Sequence, residues 1–214
     1  VDKDGILLGR ITIDDVVDVI RDEADDSVLN MAGLNKEDDI FAPIIQSTER
    51  RTLWLGANLI TAILAAAAIG IFEATIEKIV TLAILMPIVA SMGGIAGMQS
   101  LALVIRSQAT NQIGSSNSKL LILKESAIGV LNGILWSSVV SIAVYLWFDS
   151  VFLGVVIAVA LLVNLIIGAI SGVTLPLILK KLSIDPAIAG GVILTTITDI
   201  VGFISLLGVA TLIM

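Results

Sequence analysis

The chain has 214 residues, 57% of them hydrophobic, with no cysteine, no histidine and a net charge of −7. Its mean hydropathy of +1.06 lies far above that of a soluble domain and indicates a membrane protein. Without cysteine or histidine there is no disulfide, thiolate metal site or common neutral-pH base, and the oxygen ligands that remain suit hard cations. The charge is held unevenly. Residues 1–49 carry 13 acids and 4 bases, net −9, whereas residues 50–214 carry 6 acids and 8 bases, net +2. An acidic arm on a faintly basic membrane domain argues against nucleic acid as a partner and for cations.

The arm opens with Asp4-Gly5, a turn signal between short apolar stretches, and a strand is expected from Leu7 to Ile13. Thr12 or Asp14 then caps a helix with Val16, Val17, Val19 and Ile20 as its apolar positions. One hairpin and one helix cannot bury a core, so residues 1–22 read as the tail of a domain in an excerpt of a longer chain. These residues show no signal-peptide pattern. Acids crowd the helix and its end, among them Asp14, Asp15, Asp18, Asp22, Glu23, Asp25 and Asp26. Such a run is ordinarily a solvated face. Here like charges on one side repel by a few tenths of a kcal/mol per pair, and a divalent cation would relieve them. Asp18, Asp22, Glu23, Asp25 and Asp26 are therefore candidate regulatory cation ligands. Residues 23–49 form the acidic connecting helix and linker.

Five apolar spans follow, at about Leu53–Phe72, Ile79–Ile105, Leu120–Phe148, Phe152–Leu179 and Ala187–Met214. The fold class is thus an all-α membrane protein with five transmembrane helices per chain, residues 50–214. Arg50, Arg51, Arg106, Lys119, Lys124, Lys180 and Lys181 fall on one side and only Lys78 on the other. The excess of basic residues puts the amino-terminal arm in the cytoplasm and the carboxyl terminus outside.

Within the spans, Asp199 stands halfway along the last apolar run, near the midplane of a hydrocarbon core about 30 Å thick. A carboxylate there costs at least ~2.5–3.5 kcal/mol and marks an ion path unless it is a protonated bridge between helices. The second span holds PIVASMGGIAGMQS, in which Pro87 favours a kink and Gly93, Gly94 and Gly97 leave pliable, bare backbone beside Gln99 and Ser100. Bent backbone at membrane depth lines cavities or is buried in protein, and its carbonyls are ligands for hard cations. Asn164, mid-span, is a further candidate beside the pathway. Asn132 reads as a bridge between helices, worth ~1 kcal/mol.

Two resemblances follow from these residues. VDKDGILLGRITIDD is similar to the end of a CBS domain. MPIVASMGGIAGMQSLALVIR, FEATIEK, GVTLPLILKKLSIDPA and TTITDIVGF together resemble the MgtE family of magnesium channels and transporters, in order and with its spacings. That family carries CBS domains before its membrane part. The resemblance implies a homodimer with a pore on its two-fold axis, with Asp199 as pore acid and Thr195 and Thr196 in the turn before it. It also implies soluble acids that bind cytosolic magnesium and close the channel, a role that falls on the acidic helix. Ile95 stands where the family has Asn, which bears on selectivity. Magnesium is the expected transported and regulatory ion, with manganese, cobalt or calcium able to share the site. The expected setting is the cell membrane, and no enzyme activity is expected. Rival readings are a sodium-coupled magnesium exporter of related fold and a receptor or scaffold without transport. Aspartyl protease chemistry needs two acids sharing a proton, and Asp199 alone in mid-span does not supply them.

Overall fold

Long apolar runs have to satisfy their backbone groups internally in a membrane, and the helix is the way one chain segment can do so. The computed structural model of the protein describes residues 5–6, 9–34, 41–110, 113 and 117–214. Among these residues there are seven helices and no strand. They are α1 (Ile13–Met31), α2 (Ile44–Gly70), α3 (Glu73–Lys78), α4 (Thr81–Ala109), α5 (Ser118–Phe148), α6 (Val151–Lys181) and α7 (Pro186–Ile213). Five of them, α2 and α4 to α7, are long and apolar enough to cross a membrane. The chain divides into two compact units, Val1–Thr52 and Leu53–Met214.

In the first unit α1 starts where its own side chains supply partners. The Thr12 backbone N–H and hydroxyl both donate to Asp15 Oδ2, at 2.7 and 2.8 Å. The amide first and the hydroxyl second hold the Asp15 carboxyl below its ordinary value of 3.8. This contribution is present above that value and is lost as pH falls through the lowered one. The other end closes as a Schellman motif, with Leu34 N–H on Leu29 O, Gly33 N–H on Asn30 O, and Gly33 at φ +73°.

The strand expected over Leu7–Ile13 is not formed in its described part: Gly9–Thr12 is irregular and Ile13 opens α1. An isolated strand has no neighbour to satisfy its backbone, whereas the cap gives Thr12 a local partner. Asp4, Leu7 and Leu8 lie outside the described residues. No residue of α1 is buried, Val16, Val17, Val19 and Ile20 included.

In the second unit α6 is the centre and packs against α4, α5 and α7. Leu82, Leu85 and Val89 of α4 meet Val156, Ile157, Ala160 and Leu161 of α6 and Leu206, Leu207 and Ala210 of α7. The membrane stretch of α2 joins this core only near its end, where Ala65 and Ala68 are buried and Ile69 packs on the cluster. Leu53, Leu55, Leu59 and Ile60 stay exposed. The joint expected from Glu73 to Lys78 is the short helix α3, tied to α7 by the Thr75 and Thr211 hydroxyls at 2.7 Å.

The α4 and α6 backbones approach closely. A methyl added at Gly168 would stand 2.6 Å from Gly93 O, and one at Gly172 would collide with Gly97 O. Gly93 and Gly97 thus face Gly168 and Gly172, two small-residue pairs each spaced by four. The expected bend in the second span takes a different form, since α4 is helical through Pro87 and all three glycines. Proline removes one hydrogen bond, and contact with α6 holds the following turns.

The remaining joints are short. Asp149, at φ 47°, turns the chain between α5 and α6, and Ser150 accepts from Leu153 N–H at 3.4 Å to cap α6. Asp185 caps α7 by accepting from Ala187 N–H at 2.8 Å, with Pro186 in the first turn.

Gly172→Ala should lower thermal stability in detergent by ~1–3 kcal/mol through overpacking. Gly56→Ala, where an added methyl meets nothing within 4 Å, should leave the melting temperature unchanged or raised.

Candidate ion-pathway site

Helical spacing places Thr195, Thr198, Asp199 and Gly202 on one side of α7. The threonine hydroxyls bond within the helix: Thr195 donates to Gly191 O and Val192 O at 3.1 and 3.0 Å. Thr196 donates to Val192 O at 2.6 Å, and Thr198 to Leu194 O and Thr195 O, both at 3.1 Å. Their protons are used, so what each hydroxyl still offers is an acceptor lone pair. Such back-bonding also crowds the carbonyls of this turn.

Asp199 is half-buried, and no hydrogen bond or ion pair joins it to any described residue. It is also the only charged residue from Pro186 to Met214. α7 lies against α4 through Leu194, which a methyl at Gly97 would meet at 2.8 Å, and Thr198, which one at Gly94 would meet at 3.8 Å. Gly94 and Thr198 are thereby neighbours, one residue away from the acid. Gly93 and Gly97 are buried in the seam with α6 and serve close packing. Thr196 is half-buried on the same turn of α7.

Asn164 is fully buried and clips α6 to α4, its Nδ2 donating to Val89 O at 2.7 Å. Its Oδ1 is buried and has no partner among the described residues. The side chain fills the space that Gly93 and Gly202 leave, since a methyl on either glycine would strike it. Gln99 stands apart from Asp199. It is exposed and lines a cavity between α4 and α5 together with Ile95.

On α1, Asp18, Asp22, Glu23 and Asp25 are exposed and Asp26 is half-buried. Among the described residues no three acids come together in a geometry that holds a metal ion. One carboxylate cannot strip a magnesium ion of its water, so what Asp199 can do chemically is hold a hydrated cation from one side.

Residue-by-residue reading of the sequence passed over Ser100 and Glu125 as a pair. Glu125 of α5 is 6% exposed, and Ser100 Oγ of α4 donates to its Oε2 at 2.8 Å. The available signal was a second acid seven residues inside a helix of 31.

A family model described as MgtE, divalent cation transporter, matches residues 86–209. The magnesium transporter MgtE of Bacillus subtilis is 35% identical over 211 residues, 99% of this chain and 47% of that protein. The one of Enterococcus faecalis is 32% identical over 213 residues, 100% of this chain and 47% of its own length. The one of Thermus thermophilus is 29% identical over 216 residues, 100% and 48% respectively. The chain therefore spans about half the length of the curated relatives it matches.

Asn164→Ala should cost ~1–3 kcal/mol of stability by removing the bond to Val89 O and opening a void. Thermal unfolding in detergent measures it, and Asn164→Ala should melt clearly below the parent.

Proposed function

Because the chain belongs to the MgtE family of divalent cation transporters, we propose that two copies form a pathway for hydrated magnesium across the cell membrane. The observation that carries this reading is Asp199, a half-buried carboxylate in mid-span with no partner among the described residues. A lone charge in hydrocarbon is strongly unfavourable, and a cation facing it together with a second copy of the same acid removes the imbalance. Two such carboxylates across a two-fold axis hold an ion through its water, because magnesium keeps its shell and demands octahedral oxygen geometry.

Thr195 and Thr196 supply acceptor oxygens to those waters. Gly94 brings α4 backbone to the same level through its contact with Thr198. Manganese, cobalt and calcium are the other ions such oxygen donors would take. The basic residues at one set of span ends put the amino-terminal arm in the cytoplasm. There residues 1–22 end a CBS domain, and the acids of α1 bind cytosolic magnesium and close the pathway. Since no three acids converge within one chain among the described residues, the sensing site draws ligands from more than one segment or copy.

In proteoliposomes Asp199→Asn should reduce magnesium uptake to the level of protein-free vesicles, measured with an entrapped magnesium dye. Uptake at the parent's rate by the inserted variant would defeat the proposal. Replacing Asp18, Asp22, Glu23, Asp25 and Asp26 together by Asn or Gln should leave uptake intact and weaken its inhibition by magnesium on the cytoplasmic side. Inhibition of unchanged strength would remove α1 from the sensor.

A further inference from the structure

A cavity of about 380 Å³ lies between α4 and α5, floored by α6 and with no residue of α7 in its wall. Gln99, Ser100, Glu125 and Asn132 give it polar walls, and Ile95 and Trp136 are among the apolar residues around them. The polar residues arrive in register: Glu125, Asn132 and Trp136 recur at seven and four residues along one side of α5. Glu125 is 6% exposed, and among the described residues the one bond made to its carboxylate is that from Ser100 Oγ at 2.8 Å. No lysine or arginine stands among the lining residues. A buried carboxylate with a single neutral donor is far from balanced, because an uncompensated charge out of water is among the most unfavourable arrangements in a protein.

We propose that this cavity is a cation site separate from Asp199, in which Glu125, assisted by the carboxamide oxygens of Gln99 and Asn132, holds one monovalent hard cation, sodium, with part of its water. Charge selects the valence. One carboxylate neutralises a single positive charge, whereas a divalent ion would leave a net positive charge in a low-dielectric interior. The donors select the class of ion, since carboxylate and amide oxygens are hard ligands. Volume selects the hydration state: at ~30 Å³ per water the space takes an ion and several waters. The amides have a role in this arrangement that a plain packing interaction would not need. Two carboxamides facing the space around a buried acid complete an oxygen shell.

The test is sodium binding by the complete protein in lipid nanodiscs, followed with radioactive sodium. The Asp199→Asn background is used in every arm so that the acid of the proposed magnesium pathway plays no part. The Asp199→Asn protein should bind sodium saturably, one ion per chain. Adding Glu125→Gln, which keeps side-chain size and an acceptor for Ser100, should weaken binding at least tenfold. Adding Asn132→Leu, which leaves the buried pair untouched, should weaken it several-fold and serves if Glu125→Gln fails to fold. Absence of saturable sodium binding, binding that survives both substitutions, or a site that takes magnesium in preference to sodium overturns the proposal. In the first two cases Glu125 and Ser100 form a packing contact that holds no cation. None of these readouts depends on magnesium flux, so failure here and failure of the pathway reading are distinguishable.

Discussion

The membrane unit depends on how closely the α4 and α6 backbones approach. Lipid is as apolar as leucine, so helices in it gain little from hiding hydrocarbon and associate through packing and hydrogen bonds. Gly93 and Gly97 against Gly168 and Gly172 supply that contact, with carbonyl oxygens standing where side chains would otherwise begin. Once the two helices are that near, Asn164 reaches across to Val89 O. The same side chain occupies the gap left by Gly202 on α7, which draws the third helix to the seam. Asn164 Oδ1 has no partner among the described residues, and a buried acceptor without a donor costs about 1–3 kcal/mol. With Leu194 and Thr198 set against α4, the adjoining Asp199 is half-buried and has no hydrogen-bond or ion-pair partner among the described residues.

The two intramembrane acids are chemically unlike. Asp199 is half-buried and has no hydrogen-bond or ion-pair partner among the described residues. Glu125 is almost wholly enclosed and accepts one hydrogen bond, from the neutral Ser100 hydroxyl. The first environment suits contact with a hydrated ion and the second a fixed site, beside residues of α4, α5 and α6.

Much of this was legible in the residues and some was not. The five spans follow from apolar length alone, because a hydrocarbon layer sets a minimum helix and the runs exceed it. Asp199 was legible for the same reason, as the only charge in a 29-residue stretch. The glycines of α4 were visible, but their role depends on Gly168 and Gly172, some seventy residues on. Nothing local says that the two pairs meet. Asn164 was visible as a mid-span amide, but its bond to Val89 O depends on which way one turn of α6 faces. Glu125 was harder to read, since its partner Ser100 lies on another helix, twenty-five residues earlier. The strand expected before α1 needed a partner strand that no described residue provides.

The spacing in the seam has a consequence for how the protein can vary. Asn164, Gly168 and Gly172 recur every four residues on α6, as do Gly93 and Gly97 on α4. One residue added or removed between them would turn everything beyond it by about 100°. The glycine notch would then face a bulky neighbour, and the amide would face hydrocarbon. Changes in chain length inside these two helices are therefore far more damaging than exchanges of side chain on their lipid face. Insertions and deletions have room only at the joints.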